Sequence, residues 1–131
     1  MFSLKNMLNT TDGLPFTISP STSYLRLCAN EVGKDFVEFT GWFQTEDRHA
    51  TIRFDFFRAI SARLLAFSDE AGQGIGVVRR SKWLAEANKY QKSFYPAHAD
   101  NFKDMKHFFL RGHDCSVEVL AEGFTWSEVN V

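Results

Sequence analysis

The stretch DFVEFTGWFQTEDRHATIRFDF, Asp35 to Phe56, holds two runs of alternating side chains around a polar centre. In the first run, Asp35 to Gln44, Val37, Phe39, Gly41 and Phe43 point one way. Phe36, Glu38, Thr40, Trp42 and Gln44 point the other, which predicts a strand with a mixed, half-exposed second face. Thr45 to Arg48 is polar and closes a hairpin into Ala50 to Phe56, where Ile52, Phe54 and Phe56 alternate with Arg53 and Asp55. Two adjacent period-two runs joined by a short polar turn form an antiparallel pair, so the fold is read as sheet-based.

Upstream, Ser23 to Asn30 alternates Leu25, Leu27 and Ala29 against Tyr24, Arg26 and Cys28, and reads as another strand. Residues 1 to 22 read as an irregular lead-in punctuated by Asp12-Gly13, Pro15 and Pro20, with room for a short helix at Ser3 to Leu8. Glu31 to Lys34 is a turn. Asp55 to Ala71 supports two readings. Phe56, Ile60, Leu64 and Phe67 fall at helical spacing between a candidate N-cap, Asp55, and a stop, Gly72. A bent strand with Ile60, Ala62 and Leu64 on one side fits as well.

Ser81 is a good N-cap for a helix from Lys82 to about Lys92, with Trp83, Leu84, Ala87 and Tyr90 as its apolar side and Phe94-Tyr95-Pro96 as its end. Lys106 to Arg111 and Cys115 to Trp126 form a terminal hairpin over Gly112-His113-Asp114, with Gly123 as a candidate bulge. The expected fold is α+β: an antiparallel sheet of five or six strands with one or two helices packed on it, in a single domain over residues 1–131.

Composition agrees with a folded domain, with 44% hydrophobic and 24% charged residues. Fourteen Phe in 131 residues points to aromatic-rich strands. The net charge of −1 argues against general nucleic-acid binding. Charge is uneven, however. Arg79 to Lys106 holds seven basic and three acidic side chains, and His107 to Val131 holds one Arg against four carboxylates. No secretory leader, membrane span or disulfide framework is expected, and a cytoplasmic location with Cys28 and Cys115 reduced follows.

Five constellations bear on chemistry. Cys115 beside His113 would make a nucleophile if the imidazole lowered the thiol pKa, but no oxyanion site accompanies it. His49, His98, His107 and His113 lack metal-ligand spacing, and no cofactor or metal is expected. Gly72-x-Gly74-x-Gly76 departs from phosphate-loop spacing and reads as a turn. Arg79-Arg80-Ser81-Lys82 beside Trp83 suits single-stranded nucleic acid by charge and stacking. Asp69 and Glu70, with Asp114, Glu118, Glu122 and Glu128, would form an acidic docking surface.

Ile52-Arg53-Phe54-Asp55, then Arg63, Asp69-Glu70 and Gly72, then Ser81-Lys82-Trp83-Leu84, and finally Lys106-His107-Phe108-Phe109, Asp114 and Glu118-Val119-Leu120-Ala121 form a pattern over residues 35 to 126. It resembles a diffuse group of small bacterial domains, some of them similar to immunity proteins of toxin systems, including contact-dependent growth inhibition. The resemblance favours a strand over the ambiguous segment. It implies a non-enzymatic cytoplasmic protein that blocks a cognate toxin domain by occluding it. In this expectation Asp69, Glu70, Asp114, Glu118 and Glu122 supply charge, and Trp126 or Trp42 an aromatic anchor. The rival expectations are a small-molecule or peptide-binding module and an RNA-associated protein using Arg79 to Lys82.

Overall fold

A computed structural model describes residues 11, 14–19, 23–29, 39–45, 50–66, 71–72 and 74–129. The strands are β1 (Cys28–Ala29), β2 (Phe39–Gln44), β3 (Thr51–Phe57), β4 (Ser61–Leu65), β5 (Ile75–Val77), β6 (Lys106–Arg111), β7 (Ser116–Ala121) and β8 (Gly123–Val129). Among the described residues one α-helix, α1 (Lys82–Phe94), lies between β5 and β6, with a 3-10 turn at Pro96–His98 behind it. All pairings are antiparallel, in two four-stranded sheets ordered β1-β2-β3-β8 and β4-β7-β6-β5. The α+β class read from the sequence is the one found, with two sheets in place of one.

The second sheet arises because one long two-stranded ribbon serves both. β3 pairs with β8 down to Phe57 opposite Gly123, and β4 pairs with β7 from Ser61 opposite Leu120. Between those pairs lie Arg58, Ala59 and Ile60 on one strand, but just Ala121 and Glu122 on the other. The extra residue makes a bulge, which bends a ribbon and redirects its faces. Arg58 takes φ 51, and its guanidinium reaches Glu122 across the bend at 2.8 Å. The bulge therefore falls at Arg58–Ile60, where the sequence pointed to Gly123.

Over its described part, Asp55 to Ala71 is strand up to Phe57 and again at Ser61–Leu65, with no helix. A helix would have buried Phe56, Ile60 and Leu64 on one face, yet Ile60 is 39% and Leu64 53% exposed. Asp55 accepts from Arg53 Nε at 3.0 Å instead of capping a helix. Gly72 and Gly76 have a packing role. A Cβ on Gly76 would lie 2.6 Å from the Phe109 ring and one on Gly72 3.2 Å from it, while Gly74 sits at φ 69.

The core lies between the sheets. Phe43, Phe54, Phe56, Phe108 and Phe124 are buried and touch in sequence, with ring centroids 5.1 Å (Phe43–Phe54), 5.6 Å (Phe54–Phe124), 5.8 Å (Phe124–Phe56) and 5.5 Å (Phe56–Phe108) apart. The first three and Phe124 come from the first sheet and Phe108 from the second, so the Phe-rich composition is spent on joining them. Ile52, Leu110, Val117, Val119 and Ala121 fill the remaining space. Leu25 and Leu27 pack against it while Tyr24 and Arg26 face out, as the alternation predicts, although among the described residues of this run ladder pairing is confined to Cys28–Ala29.

α1 covers the other face of the second sheet. Every residue of β7 is buried, because that strand has the core on one side and α1 with its anchoring side chains on the other. The expected short helix at Ser3 to Leu8, the turn at Glu31 to Lys34, and His49, Asp69 and Glu70 lie outside the described residues.

Candidate functional site

The chemistry-bearing side chains converge under the N-terminus of α1. His107 on β6 and Glu118 on β7 alternate with the core-facing Phe108, Val117 and Val119, so both point toward the helix. Neither is exposed. His107 Nε2 lies 2.5 Å from Glu118 Oε1, and Arg63 Nη2 on the neighbouring β4 donates to the same oxygen at 2.9 Å. The other ring nitrogen, Nδ1, is 2.6 Å from Ser81 Oγ, and Ser81 Oγ accepts the Leu84 backbone N–H at 2.9 Å.

One tautomer satisfies the whole chain. With the ring proton on Nε2, Leu84 N–H donates to Ser81, the Ser81 hydroxyl to Nδ1, and Nε2–H to the carboxylate, so every donor points toward Glu118. A buried carboxylate needs such partners, since an isolated charge there is prohibitive. Trp83, in the first turn of α1, closes the cluster. Its ring stacks on the Arg63 guanidinium at 4.0 Å and meets the His107 ring edge-on at 5.2 Å. The helix start is thereby tied to three strands.

Ser81, His107 and Glu118 have the connectivity of a nucleophile, base and acid. Their environment gives them a structural task. Ser81 is 7% exposed and its oxygen caps α1, while Arg63 already matches the charge of Glu118. The arrangement clamps the helix to the sheet.

The outward side of α1 has a different character. Leu84, Ala87, Asn88 and Gln91 turn inward or lie half-buried, and Gln91 Nε2 donates to the His98 carbonyl at 3.0 Å. Tyr90 faces solvent at 56% exposure, contrary to its expected place on the buried stripe, because Gln91 occupies that position. Phe94 and Tyr95 are 65% and 52% exposed. The three rings form one group, with Tyr90–Phe94 centroids 4.6 Å and Tyr90–Tyr95 6.3 Å apart. Arg79, Arg80, Lys82, Lys89 and Lys92 are exposed on the same segment, the first three at the opposite end of the helix from the rings.

The expected acidic docking surface loses Glu118, while Asp114 and Glu128 are exposed and Asp69 and Glu70 lie outside the described residues. Glu118 is buried beneath α1, since the strand face it shares is covered rather than open. Glu122 does not continue that face: it sits in the crossover and pairs with Arg58. Trp126 is half-buried, edge-on to Phe16 at 4.9 Å and packed against the core. Asp114 is exposed in the β6–β7 turn, 3.6 Å from His113 Nε2. Trp83, proposed as a base-stacking platform, has one face taken by Arg63.

Cys115 is free, and burial, followed by the Asp114 charge, raises its thiol pKa, the opposite of what a nucleophile requires. No group of three metal-ligating side chains occurs among the described residues, and no helix there is long and apolar enough to cross a membrane. No known protein family, curated protein or solved structure matches the chain.

Proposed function

We propose that this chain is an immunity-type binding protein: a cytoplasmic, non-enzymatic inhibitor that neutralises a cognate bacterial toxin domain by covering it. One observation supports a binding role above others. Tyr90 meets both Phe94 and Tyr95 on the surface, and each of the three is more than half exposed. Grouped exposed aromatics are costly to leave in water, and they are the side chains that dominate protein interfaces when desolvated. They stand on a helix whose start is clamped by Ser81 and Trp83 and whose end is held by Gln91, so little ordering is needed on binding. The toxin assignment comes from the sequence resemblance. About 800 Å² on each side suffices for a stable complex, and a catalytic cleft filled that way is inactive.

The experiment is to co-express the chain with the C-terminal toxin domain encoded by a neighbouring large gene and to score survival. Protection with co-purification of a one-to-one complex is the expected result. If no neighbouring toxin domain is neutralised, the immunity assignment falls.

A further inference from the structure

Resting on that binding reading, we propose that the docking surface is the outer flank of α1 with the Tyr95 corner, and that it fits an acidic protein surface with an apolar recess at its centre. Positions 90 and 94 are one helical turn apart and present their rings together. On the helical wheel, positions 82, 89 and 92 form a row on one side of the rings, with Lys89 and Lys92 beside them, Lys82 two turns nearer the N-terminus, and Glu86 and Ser93 between that row and Tyr90. Exposed aromatic side chains flanked by a row of lysines combine the two elements of an interface, an apolar anchor and a charged border.

Charge selects the occupant. The segment from Arg79 to Lys106 holds seven basic and three acidic side chains, in a protein of net charge −1. A second copy of the same face would set like charges against each other, which disfavours a symmetric dimer through it. A nucleic acid would meet the lysines but also Glu86 on the same helix and Asp100 and Asp104 beyond it, all exposed. Tyr90 and Phe94 moreover lie against each other, 4.6 Å apart and 31° from parallel, so each covers part of a face that a base would need. A protein surface with carboxylates around a pocket satisfies the rings and lysines together, and tolerates interspersed acids. The partner's contact region is therefore acidic, the reverse of the basic cleft for which an acidic inhibitor surface would have been suited.

The test uses the isotopically labelled full chain and two probes, a twelve-residue peptide alternating glutamate and leucine, and a ten-nucleotide oligouridylate. The expected result is peptide-induced shift changes confined to residues 82–98, with affinity at least tenfold weaker in K89E/K92E and lost in Y90A/F94A. Y90A/F94A removes exposed rings, and an unchanged thermal melt confirms that it folds. Absent or scattered shifts overturn the proposal, as does tighter binding of oligouridylate at the same residues. The outcome separates from that of the toxin experiment. If a toxin domain binds with an affinity unaffected by either variant, the surface is wrong and the immunity reading stands. If the peptide binds α1 but no toxin is neutralised, the surface stands and the immunity reading falls.

Discussion

His107 and Glu118 meet diagonally across β6 and β7, 2.5 Å apart and shut off from solvent. The residues directly opposite them are Leu120 and Phe109. The diagonal leaves Glu118 within reach of Arg63, which stands directly opposite it on β4. One carboxylate thus joins the three strands, and through the imidazole and Ser81 it also governs the helix start. The helix dipole reinforces this, because a chain of aligned donors carries the influence of the Glu118 charge to the positive end of α1.

Glu118→Ala removes the acceptor of both Arg63 and His107 and should cost about 3–5 kcal/mol in urea unfolding. Replacing Glu118 and His107 together by Leu should cost less than the sum of the single changes, because no buried partner is then left stranded. Additive losses would mean that the two side chains do not act as a pair.

Ser81→Ala removes the cap of α1 and the hydroxyl donor to Nδ1. A loss of about 1–2 kcal/mol is expected, with faster amide exchange at Leu84. Coupling to His107→Leu in a double-mutant cycle should be about 0.5 kcal/mol or more. Zero coupling would reduce Ser81 to an ordinary cap.

Several of these features could be read from the residues and others could not, for physical reasons. β3 has one face in the core and one half-open, so its alternation in sequence reproduces its burial, residue for residue. Ser81 announced the helix through its capping chemistry. Glu118 misled because alternation tells which face a side chain takes, but not whether a distant element covers that face. The cover is α1, and its sequence separation from β7 leaves no local trace. Tyr90 misled because the buried stripe ends in a polar residue, Gln91, whose satisfaction by the His98 carbonyl depends on a turn seven residues later. The bulge at Arg58 adds one residue to a pairing whose partner is some sixty positions away, which no local pattern encodes.

Gly76→Ala places a methyl group 2.6 Å from the Phe109 ring on the adjacent strand. Overpacking of this kind costs about 1–3 kcal/mol. Phe109→Leu in the same chain should recover part of the loss, since it withdraws the ring atoms that clash. Thermal unfolding of the two single variants and the double variant decides this, and a double variant as destabilised as the sum would place the strain elsewhere.

Alkylation of Cys115 should be slow at neutral pH. The reactive species is the thiolate, and both burial and the Asp114 carboxylate disfavour it. The rate should therefore rise at a higher pH than for an unperturbed thiol. Asp114→Asn should move that rise downward modestly, because the charge is the smaller of the two causes. Rapid labelling by iodoacetamide at neutral pH would contradict this and restore the thiol as a nucleophile.

Trp83 is the residue through which α1 grips the sheet, and its removal is the most direct test of the clamp. The indole touches Arg63 on one face and His107 along an edge, so Trp83→Ala exposes the buried end of the Arg63–Glu118 pair as well as leaving a void. A loss of about 3 kcal/mol is expected, the lower end of the range for truncating a buried aromatic, because this ring is half-buried. Trp83→Phe keeps the stacking plane and should retain most of the stability. Hydrogen exchange adds the locality. In Trp83→Ala the first turn of α1 should lose protection, while β3 and β8, on the far side of the core, keep theirs. A loss under about 1 kcal/mol would show that the Gln91–His98 contact holds the helix without Trp83, and the indole would then be available to a partner.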